Sequence, residues 1–183
     1  MKLNPQILER LTSRLGPDCM SQRMMRQASL WAGMQHQGEG IFILERAIPL
    51  DAAIRLGLKF TFLEGRARRN CSALVVRENT VLHDRIPKSL DGLRILQLSD
   101  LHIDLVPELS DVLPLHLEAL SYDLALITGD FRNSKTENFH PSLDLMKPII
   151  ESIAAPKFGV LGNHDYVEMV PHLEGLGLSM LLN

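Results

Sequence analysis

A chain of 183 residues is long enough to bury one good core with a small appended unit, and its 45% hydrophobic and 22% charged content is ordinary for a soluble globular protein. No run of about 18 uncharged apolar residues occurs, which argues against a membrane-spanning helix. Nor is there a cationic start followed by an apolar stretch and a small-residue cleavage site, so the expected address is the cytoplasm. The net charge of -3 hides an asymmetry: residues 1–71 carry 11 Lys and Arg against 6 Asp and Glu, and residues 72–183 carry 8 against 16. The basic front suits a solvated helical surface or an anionic partner, and the acidic back is where metal ligands are expected. Cys19 and Cys71 stand far apart in no metal or redox spacing.

Asn4-Pro5 reads as a helix start, cap followed by proline. Ile7, Leu8, Leu11 and Leu15 then share one face, and Arg10 and Arg14 another, until Gly16-Pro17. A second helix from near Asp18 carries Met20, Met24, Ala28 and Trp31 at helical spacing. Such a basic-edged amphipathic pair fits the inner face of a membrane as a peripheral contact. The plainer expectation is a pair packed on itself or on the main domain. Gln35–Gly40 reads as a loop, Ile41–Leu44 as a short apolar run, Pro49–Leu58 as a helix, and Arg66, Arg68 and Arg69 as a basic cluster in a solvated linker. The texture changes near residue 71, where we place the edge between a helical, basic extension (1–71) and the main domain (72–183). Ala73–Val76 and Val81–His83, flanking Glu78-Asn79-Thr80, read as a hairpin.

Leu93–Leu98 reads as a short buried strand that stops at Ser99, Asp100 and His102. A helix at about Asp111–Leu120 leads to the Leu124–Thr128 strand, which ends in Gly129-Asp130 and a polar loop from Arg132 to Asn138. A helix at Ser142–Ile153 then leads to the Phe158–Leu161 strand, ending in Gly162-Asn163-His164-Asp165. A helix around Val167–Leu173 and an apolar run, Leu178–Leu182, complete the chain. Strands and helices that alternate, with crossovers of about 20 to 30 residues, imply an α/β fold with a mainly parallel sheet. Ligands then sit beyond the carboxyl ends of the strands, where all three polar clusters fall.

Two carboxylates, imidazoles and an amide oxygen form a mixed donor set that suits Mn, Fe, Zn or Co better than a thiolate metal. The candidate residues are Asp100, His102, Asp130, Asn163 and His164. Asp130 comes from the middle cluster, so its two oxygens can bridge a pair of divalent ions about 3.5–4 Å apart, the usual device for displacement at phosphorus. The leaving oxygen needs a proton, which His164 can donate while Asp165 orients its ring.

These blocks resemble those of the calcineurin-like metallophosphoesterases: Asp100-Leu101-His102, Gly129-Asp130-Phe131-Arg132-Asn133 and Gly162-Asn163-His164-Asp165. The run from Leu90 to His102 is similar to the bacterial subgroup with phosphodiesterase and UDP-diacylglucosamine pyrophosphatase members. The resemblance implies the front half of an αββα sandwich and hydrolysis of a phosphodiester, phosphomonoester or pyrophosphate bond. It implies that Asp100 and His102 hold the first ion, Asp130 bridges, Asn163 holds the second, and His164 is the proton donor. A phosphate-bearing, lipid-linked substrate follows from the same subgroup. No dedicated nucleic-acid motif appears.

The family's later His and Gly-His-x-His blocks are not found before Asn183; His36, His83, His116, His140 and His172 read as surface or packing residues. Without those blocks the second ion keeps only Asp130 and Asn163. The expectation is therefore the front half of an enzyme or a gene cut short. The alternative is a non-catalytic remnant that binds one ion or a phosphate-bearing partner.

Overall fold

The computed structural model describes residues 4–31, 50–134 and 138–182. Helix α1 spans Pro5–Leu15; the Asn4 side chain accepts the Gln6 N–H at 3.0 Å and Gly16, at φ +78°, closes the helix onto Thr12 O. Pro17 opens α2 (Pro17–Trp31) directly, so the Gly-Pro pair ends one helix and starts the next. Leu11, Leu15 and Met20 are buried in the same core as the sheet residues, and Arg14 donates to Glu174 and to the Met180 carbonyl, each at 2.7 Å. The pair thus packs on the main body through Leu11, Leu15 and Met20, with Ile7 and Met24 against them.

Helices α3 (Leu50–Phe60) and α4 (Glu64–Ser72) follow. The loop expected at Gln35–Gly40, the apolar run Ile41–Leu44 and His36 lie outside the described residues. Arg66, Arg68 and Arg69 lie on α4, a helix where the sequence reading has a linker; Glu64 in its first turn and Arg69 in its last match the helix dipole. The expected hairpin is absent as well. Residues 73–83 carry no strand, and Val75, Val76, Val81 and Leu82 are exposed and unpaired with the sheet.

Four parallel strands in the order β1-β2-β3-β4 form the sheet: β1 Ile95–Leu98, β2 Leu124–Ile127, β3 Lys157–Gly159 and β4 Ser179–Met180. The crossovers are α5 (Leu109–Glu118), α6 (His140–Ser152) and a 3₁₀ turn (Val167–Met169) running into α7 (Val170–Gly175). Leu113 and Leu117 of α5 and Met146, Ile149 and Ile150 of α6 sit in the core. The register brings Leu96, Leu98, Ala125, Ile127, Gly159 and Met180 onto one face, buried or half-buried. The other face is more open: Ile95 is 51% exposed and Gln97 is exposed. β1 is therefore an edge strand with one covered face, and not the fully buried strand its apolar run suggests; its burial follows the period-two alternation of a one-sided sheet. Leu98, Ile127 and Gly159 are level in the pairing, so the loops that follow them leave from one edge.

If α1 is part of this core, Leu11→Ala lowers the unfolding free energy by about 2–5 kcal/mol, while Leu8→Ala on the exposed side changes it by less than about 1 kcal/mol. Equal, small effects in urea denaturation would show that the helix is only loosely attached.

Candidate metal centre

The loops after β1 and β2 run on together past the sheet. Thr128 N–H donates to Leu98 O at 2.9 Å, Asp100 N–H to Gly129 O at 3.2 Å, His102 N–H to Asp130 O at 3.0 Å and Ile103 N–H to Phe131 O at 3.0 Å. The path needs left-handed backbone at Asp100 (φ 52°), His102 (φ 40°) and Asp130 (φ 52°). For side chains other than glycine this conformation costs on the order of 1 kcal/mol or more each, and it concentrates at functional sites. Its product is a cluster: one donor atom from each of Asp100, His102 and Asp130, all lying within 4.8 Å of one another.

That donor set fits a divalent ion. Nδ1 of His102 lies 3.1 Å from the Arg132 carbonyl, which can only accept, so Nδ1 carries the hydrogen. In the neutral ring Nε2 is then bare; it sits 3.9 Å from Asp130 Oδ2, ready to ligate. Asp130 is 7% exposed and its Oδ1 accepts the His164 N–H at 2.9 Å. Asp100 is exposed, and its carboxylate accepts a short hydrogen bond from the Ser99 hydroxyl.

The third loop reaches this cluster by close backbone approach. A Cβ at Gly129 would collide with the Gly162 N and Cα, and one at Gly162 with the Asp130 backbone and carboxylate; Gly129 is also at φ +90°. Asp165, 2% exposed, holds the two loops together. Its carboxylate accepts the N–H groups of Asp130 (2.7 Å), Phe131 (2.9 Å) and Gly162 (2.8 Å). Burial pushes its carboxyl up to about 6, opposed by those three amides and assisted by the nearby Asp130 charge; it is still ionised at neutral pH. This corrects the ring-orienting role assigned to Asp165, since its oxygens serve backbone amides. The His164 ring is held instead by Asn133, whose carbonyl lies 3.1 Å from Nδ1. The His164 and His102 rings meet edge to face, centroids 5.0 Å apart. Asn163 is exposed between Gly162 and His164, both bonded through their amides to the loop partners just described.

Asp104 escapes the sequence reading. Its two oxygens accept the Asn133 and Ser134 N–H groups, each at 2.7 Å, and so hold the loop whose carbonyls face both imidazoles. Its place two residues after His102, in the turn that closes the loop, is the signal that can reveal it. Arg132 is fully buried with its guanidinium 4.3 Å above the Tyr166 ring, and burial lowers its pKa. His140 and His172 are exposed and meet each other edge to face, and both rings contact the buried Phe139.

Residues 93–181 match the profile of the calcineurin-like phosphoesterases. A relative, UDP-2,3-diacylglucosamine pyrophosphatase LpxG of Chlamydia muridarum, is 38% identical over 99 residues, an alignment that takes in 50% of this chain and 29% of that protein. The chain thus spans less than a third of the relative's length. No solved structure matches it. The phosphoesterase segment begins just before β1 and contains all three site loops.

Two substitutions test the loop junctions. Asp165→Ala leaves three amides without their acceptor and lowers the unfolding free energy by about 3 kcal/mol or more in urea denaturation. Gly129→Ala adds a clash to a left-handed backbone, and soluble, cooperatively folding protein is expected to be lost or its melting temperature to fall by about 5 °C or more. Near wild-type stability in either would mean that the loops do not meet as described.

Proposed function

We propose that this chain supplies the metal-holding loops of a hydrolase acting on phosphoric ester or anhydride bonds. The observation that carries the reading is the convergence of Asp100, His102 and Asp130 donor atoms at the carboxyl edge of a parallel sheet. Asp100 and His102 would hold one ion, Asp130 would bridge, and Asn163 would offer its amide oxygen to a second. Manganese, iron, zinc and cobalt all suit these donors. When bound, such ions supply Lewis acidity and an acidified water.

The remaining chemistry belongs to the chain's own side chains. His164 Nδ1–H faces the Asn133 carbonyl, so the proton for the leaving oxygen is carried on Nε2. His102, held by the neighbouring carbonyl, keeps Nε2 for ligation. Asp165 acts as a loop tie that keeps Asp130 and His164 in one geometry.

For the substrate, we infer a pyrophosphate bond in a lipid-bearing sugar nucleotide, supported by the name of the relative and by the surface of α3–α4. There Phe60 (75% exposed), Phe62 (93%) and Leu63 lie close in sequence to Lys59, Arg66 and Arg69. Exposed aromatic rings beside cations suit an anionic lipid surface at the inner face of a membrane. None of the described helices is long and apolar enough to cross one.

With added Mn, hydrolysis of an aryl phosphate or bis-aryl phosphate by the 183-residue chain should fall at least about 100-fold in Asp130→Asn and in His164→Ala, and a chelator should abolish it reversibly. Rates equal to both variants would overturn the reading. One ion or none per chain with no turnover would favour a non-catalytic binding role instead. Flotation with anionic liposomes at low salt should be lost in the Phe60→Ser/Phe62→Ser double variant; no binding by the wild type removes the membrane contact.

A further inference from the structure

The third site loop, residues 162–166, is gripped at both ends by a helix that lies outside the phosphoesterase segment. At its start, Arg23 of α2 donates from Nη2 to the Leu161 carbonyl at 3.1 Å. At its end, Gln27 Oε1 accepts the Val167 N–H at 3.0 Å, while Gln27 Nε2 donates to Glu168 Oε2 at 2.8 Å. Gln27 is 3% exposed and Glu168 4%. Between these anchor points stand Asn163, His164 and Asp165.

We infer that α2 is a positioning element for this loop, with Arg23 and Gln27 as the residues through which it acts. The inference rests on the phosphoesterase reading for what the loop does; what holds the loop is a separate matter. Packing alone explains neither residue. Gln27 occupies the α2 face that also carries Met20 and Met24, where an apolar side chain would fill the space without the difficulty of burying an amide. Its two ends meet two needs of the 167–168 turn: Val167 N–H is a first-turn donor of a 3₁₀ helix with no helical acceptor, and Glu168 is a carboxylate taken out of water. Arg23 likewise meets a carbonyl just beyond the end of β3, where ladder pairing no longer reaches. With these three bonds lost, the loop keeps the His164 N–H to Asp130 bond, the Asp165 tie and the His164 Nδ1 contact with the Asn133 carbonyl, while its two ends lose their hold on α2.

The variants are Gln27→Met, which keeps the volume and removes both bonds, Arg23→Ala, and Arg23→Lys as the conservative control. On metal-free protein, amide hydrogen exchange across residues 161–168 should quicken about tenfold in Gln27→Met and Arg23→Ala, with residues 99–104 unchanged, and Arg23→Lys should recover part of the protection. Calorimetric titration with Mn should show weaker binding in the first two variants. Turnover of the aryl phosphate should show a fall in kcat with KM near wild type. Exchange that is unchanged at 161–168, or that quickens equally along the whole chain, overturns the inference. The two readings fail separately. An inactive wild type whose loop still responds to Gln27→Met defeats the hydrolase assignment, and an active one whose loop ignores both variants defeats this one.

Discussion

One buried carboxylate decides whether the site exists. Asp165 accepts three backbone N–H groups, two from the loop after β2 and one from the loop after β3, at 2.7–2.9 Å. A neutral side chain could not satisfy three amides, and a more exposed one would share them with water; burial makes the ion costly and the amides repay only part of that cost. The tie works only because Gly129 and Gly162 let the two backbones approach within the space a Cβ would need. Asp130 is thereby held with one oxygen on the His164 amide and the other facing His102.

Much of this was legible in the chain, for a physical reason. Short apolar runs that end in Gly, Asp and His, separated by helical spacing, leave little choice but a parallel sheet with polar loops at one edge, and β1, β2 and β3 fall there. The residues that escaped did so because their function depends on partners distant in sequence. Asp104 reads as an ordinary surface acid until the Asn133 and Ser134 amides are seen on it. Gln27 reads as a polar residue on a surface helix until Glu168 and Val167 are found 140 residues away along the chain. The hairpin expected at 73–83 went astray for the converse reason. Its local pattern of valines was adequate, but a strand also needs a paired neighbour, and residues 73–83 pair with neither edge of the sheet. Likewise Asp165 beside His164 invites a pairing that the backbone amides pre-empt.

The basic front and acidic back of the chain also find a structural meaning. Arg10 and Arg14 of α1 pair with Glu174 of α7, and Arg14 and Arg23 donate to carbonyls at the ends of β4 and β3. Part of the positive charge of the extension is therefore used internally, against the sheet edge where the strands finish. Lys59, Arg66 and Arg69 of α3–α4, near the exposed Phe60 and Phe62, are the cations that the proposed anionic surface would meet.

The two imidazoles show how one loop can divide two chemical tasks. Arg132 and Asn133 are neighbours, and their carbonyls face Nδ1 of His102 and of His164 in turn. Each carbonyl fixes a hydrogen on Nδ1 and turns Nε2 toward the chemistry. The rings then differ only in what surrounds Nε2. His102 faces the Asp130 carboxylate and, through the cluster, Asp100, an environment that calls for a cation. His164 stands edge to face with it, on a loop whose ends are held by α2, and on the proposed reading would carry the proton for the leaving oxygen. The division depends on the 131–134 backbone keeping its shape, and Asp104 clasps that backbone by two consecutive amides. Asp104 thus holds the stretch of backbone whose carbonyls orient both imidazoles.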